Sequence, residues 1–100
     1  MPGFTKQIPH PLPRDEAVAR LKHFSEHVQR SYGEYASEMK EEWTDNVLAF
    51  NVVAVGIRIH GKLTVEDQRA DIEVNYPFTA ALFAGRIEET ITRELKHALH

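Results

Sequence analysis

Apolar residues follow two rhythms along this chain. From Ala17 they recur through Leu21, Phe24 and Val28, at the spacing of one helical face. Near the other end Ala84, Ile87, Ile91, Leu95 and Ala98 do the same, which predicts a second helix over about 79–99. Arg86, Glu89, Arg93 and Lys96 lie off that stripe. Between the helices the period is two. Tyr35, Met39 and Trp43 oppose Glu38, Lys40 and Glu42, and Ile57, Ile59, Leu63 and Val65 oppose Arg58, His60, Lys62 and Thr64. Such alternation predicts half-buried strands.

Breakers separate these elements. FTKQIPH reads as a strand that must stop near Ile8, because Pro9, Pro11 and Pro13 cannot donate to a sheet ladder, so it belongs at an edge. Pro13 suits a first helical turn, with Asp15 and Glu16 favourable to the helix dipole. Gly33 is expected to end the helix as a C-cap glycine. Thr44-Asp45-Asn46 reads as a turn, and Gly56 breaks the strand that runs from Val47 to Val55. With Asp67-Gln68 as the two central residues of a hairpin, Leu63 faces Ile72 and Ile59 faces Tyr76, while Lys62 meets Glu73, Thr64 meets Asp71 and His60 meets Asn75. Apolar then meets apolar and opposite charges meet, as cross-strand pairing favours. Gly61 falls opposite Val74 and leaves a gap that a helix side chain could fill.

The expected architecture is a single α+β domain over residues 1–100, ordered β-α-β-β-β-β-α. A mainly antiparallel, curved sheet carries both helices on one face. The C-terminal helix is gripped by the sheet in a helix-grip-like manner, a likeness of architecture that says nothing about function by itself.

Composition narrows the function classes. With 42% hydrophobic and 27% charged residues the chain is an ordinary globular one. It has no cysteine, which removes disulfides, zinc-thiolate sites and thiol catalysis. The net charge of −3 lacks the attraction that drives nucleic-acid binding. No apolar run suits a signal peptide or a membrane span, so a cytoplasmic protein is expected.

Candidate chemistry is sparse. His23 and His27 share a helical face with Arg20 and Arg30, but two ligands are too few for zinc, and the arginines disfavour a cation. That pair reads as a solvated face. His60 has no serine nearby in sequence and reads as a surface residue. Glu41, Glu42, Asp71 and Glu73 could pair as glycosidase acids do, but lysines stud their strands and solvated charge is the better reading. No phosphate loop or nucleophile elbow is present. No cofactor, no metal site and no catalytic residue is expected.

Two apolar surplus features remain. With Leu48, Phe50 and Val52 facing the helices, Val47, Ala49, Val53 and Val55 line the other face of their strand. Such a strip marks an interface with a partner, a second copy or a lipid-like surface, unless a loop or the N-terminal arm covers it. Leu82 and Phe83 widen the apolar face of the last helix, to meet either core or a hydrophobic surface.

Ile8-Pro9-His10 before a helix, Trp43 before a turn, Phe50, Gly56, Gly61-Lys62-Leu63-Thr64-Val65, Ile72-Glu73-Val74 and Pro77-Phe78 form an ordered set. Phe83-Ala84-Gly85-Arg86-Ile87-Glu88, with Leu95 beyond, completes it. Over about residues 8–99 the chain resembles the polyhydroxyalkanoic acid system protein family. The resemblance implies a bacterial protein encoded near polyester-storage genes, and supplies no catalytic residues. Joined to the apolar strip, it implies a non-catalytic accessory or binding protein, acting at a polyhydroxyalkanoate granule surface or on a granule-associated protein, with a homodimer as a further option. The alternative is a carrier of a small hydrophobic ligand or lipid. That needs a hollow above roughly 300 Å3, in a core that Phe24, Trp43, Phe50, Tyr76 and Phe83 are expected to fill.

Overall fold

The computed structural model describes residues 2–100. β1 (Gly3–Pro9) leads into α1 (Arg14–Tyr32), which tightens into a 3-10 turn over Gly33–Tyr35. Four strands follow: β2 (Ala36–Thr44), β3 (Val47–Ala54), β4 (Ile57–Glu66) and β5 (Arg69–Asn75). A 3-10 helix over Phe78–Phe83 then precedes α2 (Ala84–Leu99). All neighbouring strands are antiparallel, in the order β1-β5-β4-β3-β2. β1 lies at an edge, where Pro9 costs no ladder bond.

Register decides which side chains share a face. Trp43, Leu48, Leu63 and Ile72 form one inward row, and Glu41, Phe50, Gly61, Val74 and Phe4 form the next. Both helices cover this face, and Ile8, Val65, Val74 and Leu99 are sealed between the layers. Burying each such side chain is worth about 1.5–3 kcal/mol. The β4–β5 hairpin has the expected register, from His60 opposite Asn75 to Glu66 opposite Arg69. Gln68 accommodates the turn by taking a φ of 61°.

Several expectations need correction. Gly33 sits in right-handed geometry (φ −57°), because α1 winds down through the 3-10 turn and the chain straightens only at Ala36. Tyr35 therefore belongs to that turn and not to β2, and a register shift between Ala36 and Glu38 breaks the simple alternation at the start of β2. Residues 79–83 are 3-10 rather than α; along α2 the expected stripe of Ala84, Ile87, Ile91, Leu95 and Ala98 does pack against the core, with Thr92 and Leu99 buried beside it. The space over Gly61 is taken by Phe50 of the adjacent strand: a Cβ built on Gly61 would lie 3.0 Å from Phe50 Cζ. Phe83 stays half exposed instead of filling the core.

The proline-rich linker between β1 and α1 is tied down by the β4–β5 turn. His10 is buried, and the Leu12 N–H donates to its Nδ1 at 3.0 Å. Nε2 therefore carries the proton and donates to the Glu66 carbonyl at 3.1 Å. The His10 N–H donates to the Gln68 carbonyl and the Gln68 N–H to the Leu12 carbonyl, both at 3.0 Å. Pro13 offers no capping side chain, so the Asp67 carboxylate accepts from the Arg14 N–H at 2.7 Å and caps α1 from the hairpin.

Candidate functional site

The titratable candidates stay apart. His23 and His27 lie on the exposed side of α1, and the nearest polar partner of His27 Nε2 is the Ser31 hydroxyl at 3.5 Å. Among the described residues no three His, Cys, Asp or Glu side chains converge as metal ligands would. On the outer sheet face Glu42, Ala49, Lys62 and Glu73 form one row across the strands. Glu42 and Glu73 are thus three strand spacings apart, roughly 14 Å, with a lysine between them. Glu41 points to the opposite face, and Asp71 sits beside Arg69, with Oδ1 3.3 Å from Nε.

Register also describes the surroundings of the apolar strip on β3. Val47 lies between Thr44 and Thr64, Ala49 between Glu42 and Lys62, and Val53 between Glu38 and Arg58. The strip is one strand wide and hemmed by polar neighbours on both sides. Val55 is not on it: β3 ends at Ala54, and Val55 occupies the β3–β4 turn with φ 54° and 91% of its surface exposed.

A denser apolar surface lies elsewhere. Phe78 is 82% exposed, Leu82 93%, and Phe83 is half exposed beside them, all on the 3-10 helix. They belong to a stretch from Tyr76 to Gly85 that contains no charged residue. Two prolines and a short helix hold it there: Pro77 starts the turn and the Tyr76 N–H donates to the Pro2 carbonyl at 3.1 Å. Leu82 and Phe83 are legible in the sequence as surplus apolar residues, whereas helical periodicity does not mark Phe78 for exposure. Its signal is the gap in charge between Glu73 and Arg86, which a search for helical periodicity passes over.

A groove of about 1010 Å3 opens along α1 above β2 and β3. On the helix side Lys22, Ser25, Glu26 and Gln29 face Met39, Glu41, Trp43 and Phe50, and Lys22 Nζ lies 5.6 Å from the centre of the Trp43 ring. The lining continues onto Lys40, Ala49, Asn51, His60 and Lys62, which point to the outer face. The volume is thus open to solvent on two sides of a thin sheet edge and is not a closed hollow between helices and sheet.

Glu38 is held below the usual carboxylate range, first by its hydrogen bond from Arg58 and then by Lys40. It is solvent-facing and part of a surface ion-pair cluster, not of an acid–base pair.

Among solved structures, the crystal structure of TTHA0849 from Thermus thermophilus aligns with 98% of this chain and 92% of its own, at 11% identity and a TM-score of 0.39. No curated protein matches the chain. The family model described as "Putative polyhydroxyalkanoic acid system protein" matches residues 6–99, from the middle of β1 to the last residue of α2. It therefore spans the clamped linker, the whole meander and the uncharged segment that carries Phe78, Leu82 and Phe83. The chain belongs to the polyhydroxyalkanoic acid system protein family.

Proposed function

We propose that this protein is a non-catalytic accessory protein of polyhydroxyalkanoate metabolism that binds the surface of the storage granule from the cytoplasm. The observation that carries the proposal is the bare apolar segment: Phe78, Leu82 and Phe83 project from ten residues without charge, in a chain of this family. Each large apolar side chain taken out of water is worth about 1.5–3 kcal/mol. Three of them offset much of the cost of confining the protein at a surface. Leu82 and Phe83 form the centre of this contact, while Val47, Ala49 and Val53 lie on a polar face and contribute less.

Flotation of the purified protein with native polyhydroxybutyrate granules tests this, with phospholipid vesicles and buffer as controls. Selective movement with granules is the expected result, and Phe83→Asp should reduce it. Protein that stays in solution overturns the proposal. A granule-associated protein as the true partner would show as binding to native granules that is lost on protein-stripped ones. A homodimer through the same residues would show as a concentration-dependent mass in sedimentation equilibrium.

A second proposal, a carrier of a small hydrophobic ligand, is favoured by the groove beside Trp43 and Phe50. Trp43 is the single tryptophan, so its emission reports the groove directly. Titration with a medium-chain fatty acid should shift that emission saturably, and an unchanged spectrum removes the carrier.

A further inference from the structure

Among the described residues, all the exposed large apolar side chains lie at one end of the molecule. Besides Phe78, Leu82 and Phe83 they are Tyr32, Tyr35 and Val55, and the topology places the two sets together. α1 starts beside Asp67 in the β4–β5 turn and runs for 19 residues, about 28 Å, away from that turn. It delivers Tyr32 and Tyr35 to the opposite end, where Ala36 pairs with Ala54 next to Val55. β5 runs the same way, because its last residue, Asn75, pairs with His60 near the start of β4. The 3-10 helix that follows therefore crosses this same end.

We infer that the protein meets the granule end-on, through two prongs: Phe78, Leu82 and Phe83 on one side, and Tyr32, Tyr35 and Val55 on the other. This rests on the granule-binding proposal and adds the orientation and the second contact. Val55 follows β3 and the 3-10 helix follows β5, strands two spacings or roughly 10 Å apart. Protruding side chains of this kind suit a deformable apolar phase, whereas a protein partner would need matching pockets.

Charge selects which apolar phase. The charged side chains nearest in sequence are of mixed sign, Arg30, Arg58 and Arg86 with Glu34, Glu38 and Glu88, and Arg58 is ion-paired to Glu38. There is no cationic excess to attract an anionic membrane. The occupant is a neutral, ester-rich polymer surface. The tyrosines suit such a boundary, since each has an apolar ring and a phenolic O–H that can donate to an ester carbonyl.

The cysteine-free chain makes the orientation measurable. Single Val55→Cys, Leu82→Cys, Ala49→Cys and Arg69→Cys variants would carry an environment-sensitive fluorophore and be mixed with native polyhydroxybutyrate granules. The expected result is a blue shift and protection from an aqueous quencher at positions 55 and 82, with positions 49 and 69 unchanged. A shift at 82 without one at 55 overturns the second prong while granule binding stands. A shift at 49 overturns the end-on orientation in favour of the outer sheet face. Shifts at 55 and 82 that appear without granules as protein concentration rises assign the end to a second copy and overturn the polymer as occupant. Unlabelled Val55→Asp, at a fully exposed turn, should weaken granule retention about tenfold with an unchanged circular dichroism spectrum. Failure of the wild-type protein to sediment with granules overturns both proposals.

Discussion

Glu38 and Arg58 join across Val53. Arg58 Nη1 donates to Glu38 Oε2 at 2.9 Å, although β3 separates the strands that carry them. Val53 pairs with both residues, so the ion pair spans it. Arg58 also donates to Asn51 Oδ1 at 2.7 Å, and Lys40 Nζ lies 3.3 Å from Glu38 Oε1. The outward side of β3 is thus bridged by a polar lattice made from its own neighbours.

This cluster predicts a pH dependence. The Glu38 carboxyl is depressed by its hydrogen bonds from Arg58 and Lys40. Its contribution to stability is therefore present above the carboxylate range of the unfolded chain and is lost as pH falls through the folded value. The melting temperature of wild type should exceed that of Glu38→Gln by a constant small margin near neutrality. The margin should close in acid and shrink in high salt, because the cluster is exposed. A margin that persists in acid would mean that the substitution acts through packing.

Val55 is strained where it stands. A β-branched residue at φ 54° is an outlier, and with Gly56 at φ 76° it makes a tight turn of the kind that favours Asn-Gly. The left-handed region costs an L residue roughly 1–2 kcal/mol. Val55→Asn should gain about 1 kcal/mol, or some 4–8 °C in melting temperature for a domain of this size. The same variant should bind granules less well. Stability up with binding down is the combination expected of a residue kept for its surface and not its turn.

Gly61 should not tolerate a side chain. Its Cβ would collide with the Glu73 carbonyl on one side and meet Phe50 Cζ at 3.0 Å on the other. Gly61→Ala should cost about 1–3 kcal/mol, as overpacking does, read from urea unfolding. A neutral result would mean that the β5 backbone at Glu73 shifts away as freely as the Phe50 ring.

The linker clamp divides into two measurable parts. His10→Ala leaves the Leu12 N–H and the Glu66 carbonyl without their shared partner and should cost about 2–4 kcal/mol. Asp67→Ala removes only the cap of α1 and should cost about 1 kcal/mol. Both bonds tie the same linker to one hairpin turn, through Glu66 and Asp67, so the double variant should be less than additive. Strict additivity would mean that the linker and the helix cap act independently.

Period-two alternation made the β4–β5 hairpin legible residue by residue, because one buried face penalises every slip of register. Prolines in FTKQIPHPLP likewise made the edge position of β1 legible. The ends of elements were harder. Tyr35 looked like a strand residue because it keeps step with Met39 and Trp43, yet the register shift beyond Ala36 removes it from the sheet. Gly33 carried a helix-stop signal but is spent in right-handed geometry. The candidate surface was half visible. Leu82 and Phe83 stood out by composition, while Tyr32, Tyr35 and Val55 became neighbours of that segment only through the direction in which α1 and β5 run. Such directions are set by non-local pairing, and no local pattern contains them.

The hydrogen bond from His100 Nε2 to the Pro9 carbonyl, at 3.1 Å, has a practical side. It anchors the tail of α2 at the far tip, beside the β4–β5 turn, whereas Gly3 starts β1 beside Asn75, close to the exposed aromatic end. A fluorescent tag or affinity handle joined upstream of Gly3 would crowd the exposed apolar end. One joined after His100 would trail into solvent on the other side. Localisation experiments should therefore give different answers for the two fusions, and the one after His100 is the faithful reporter.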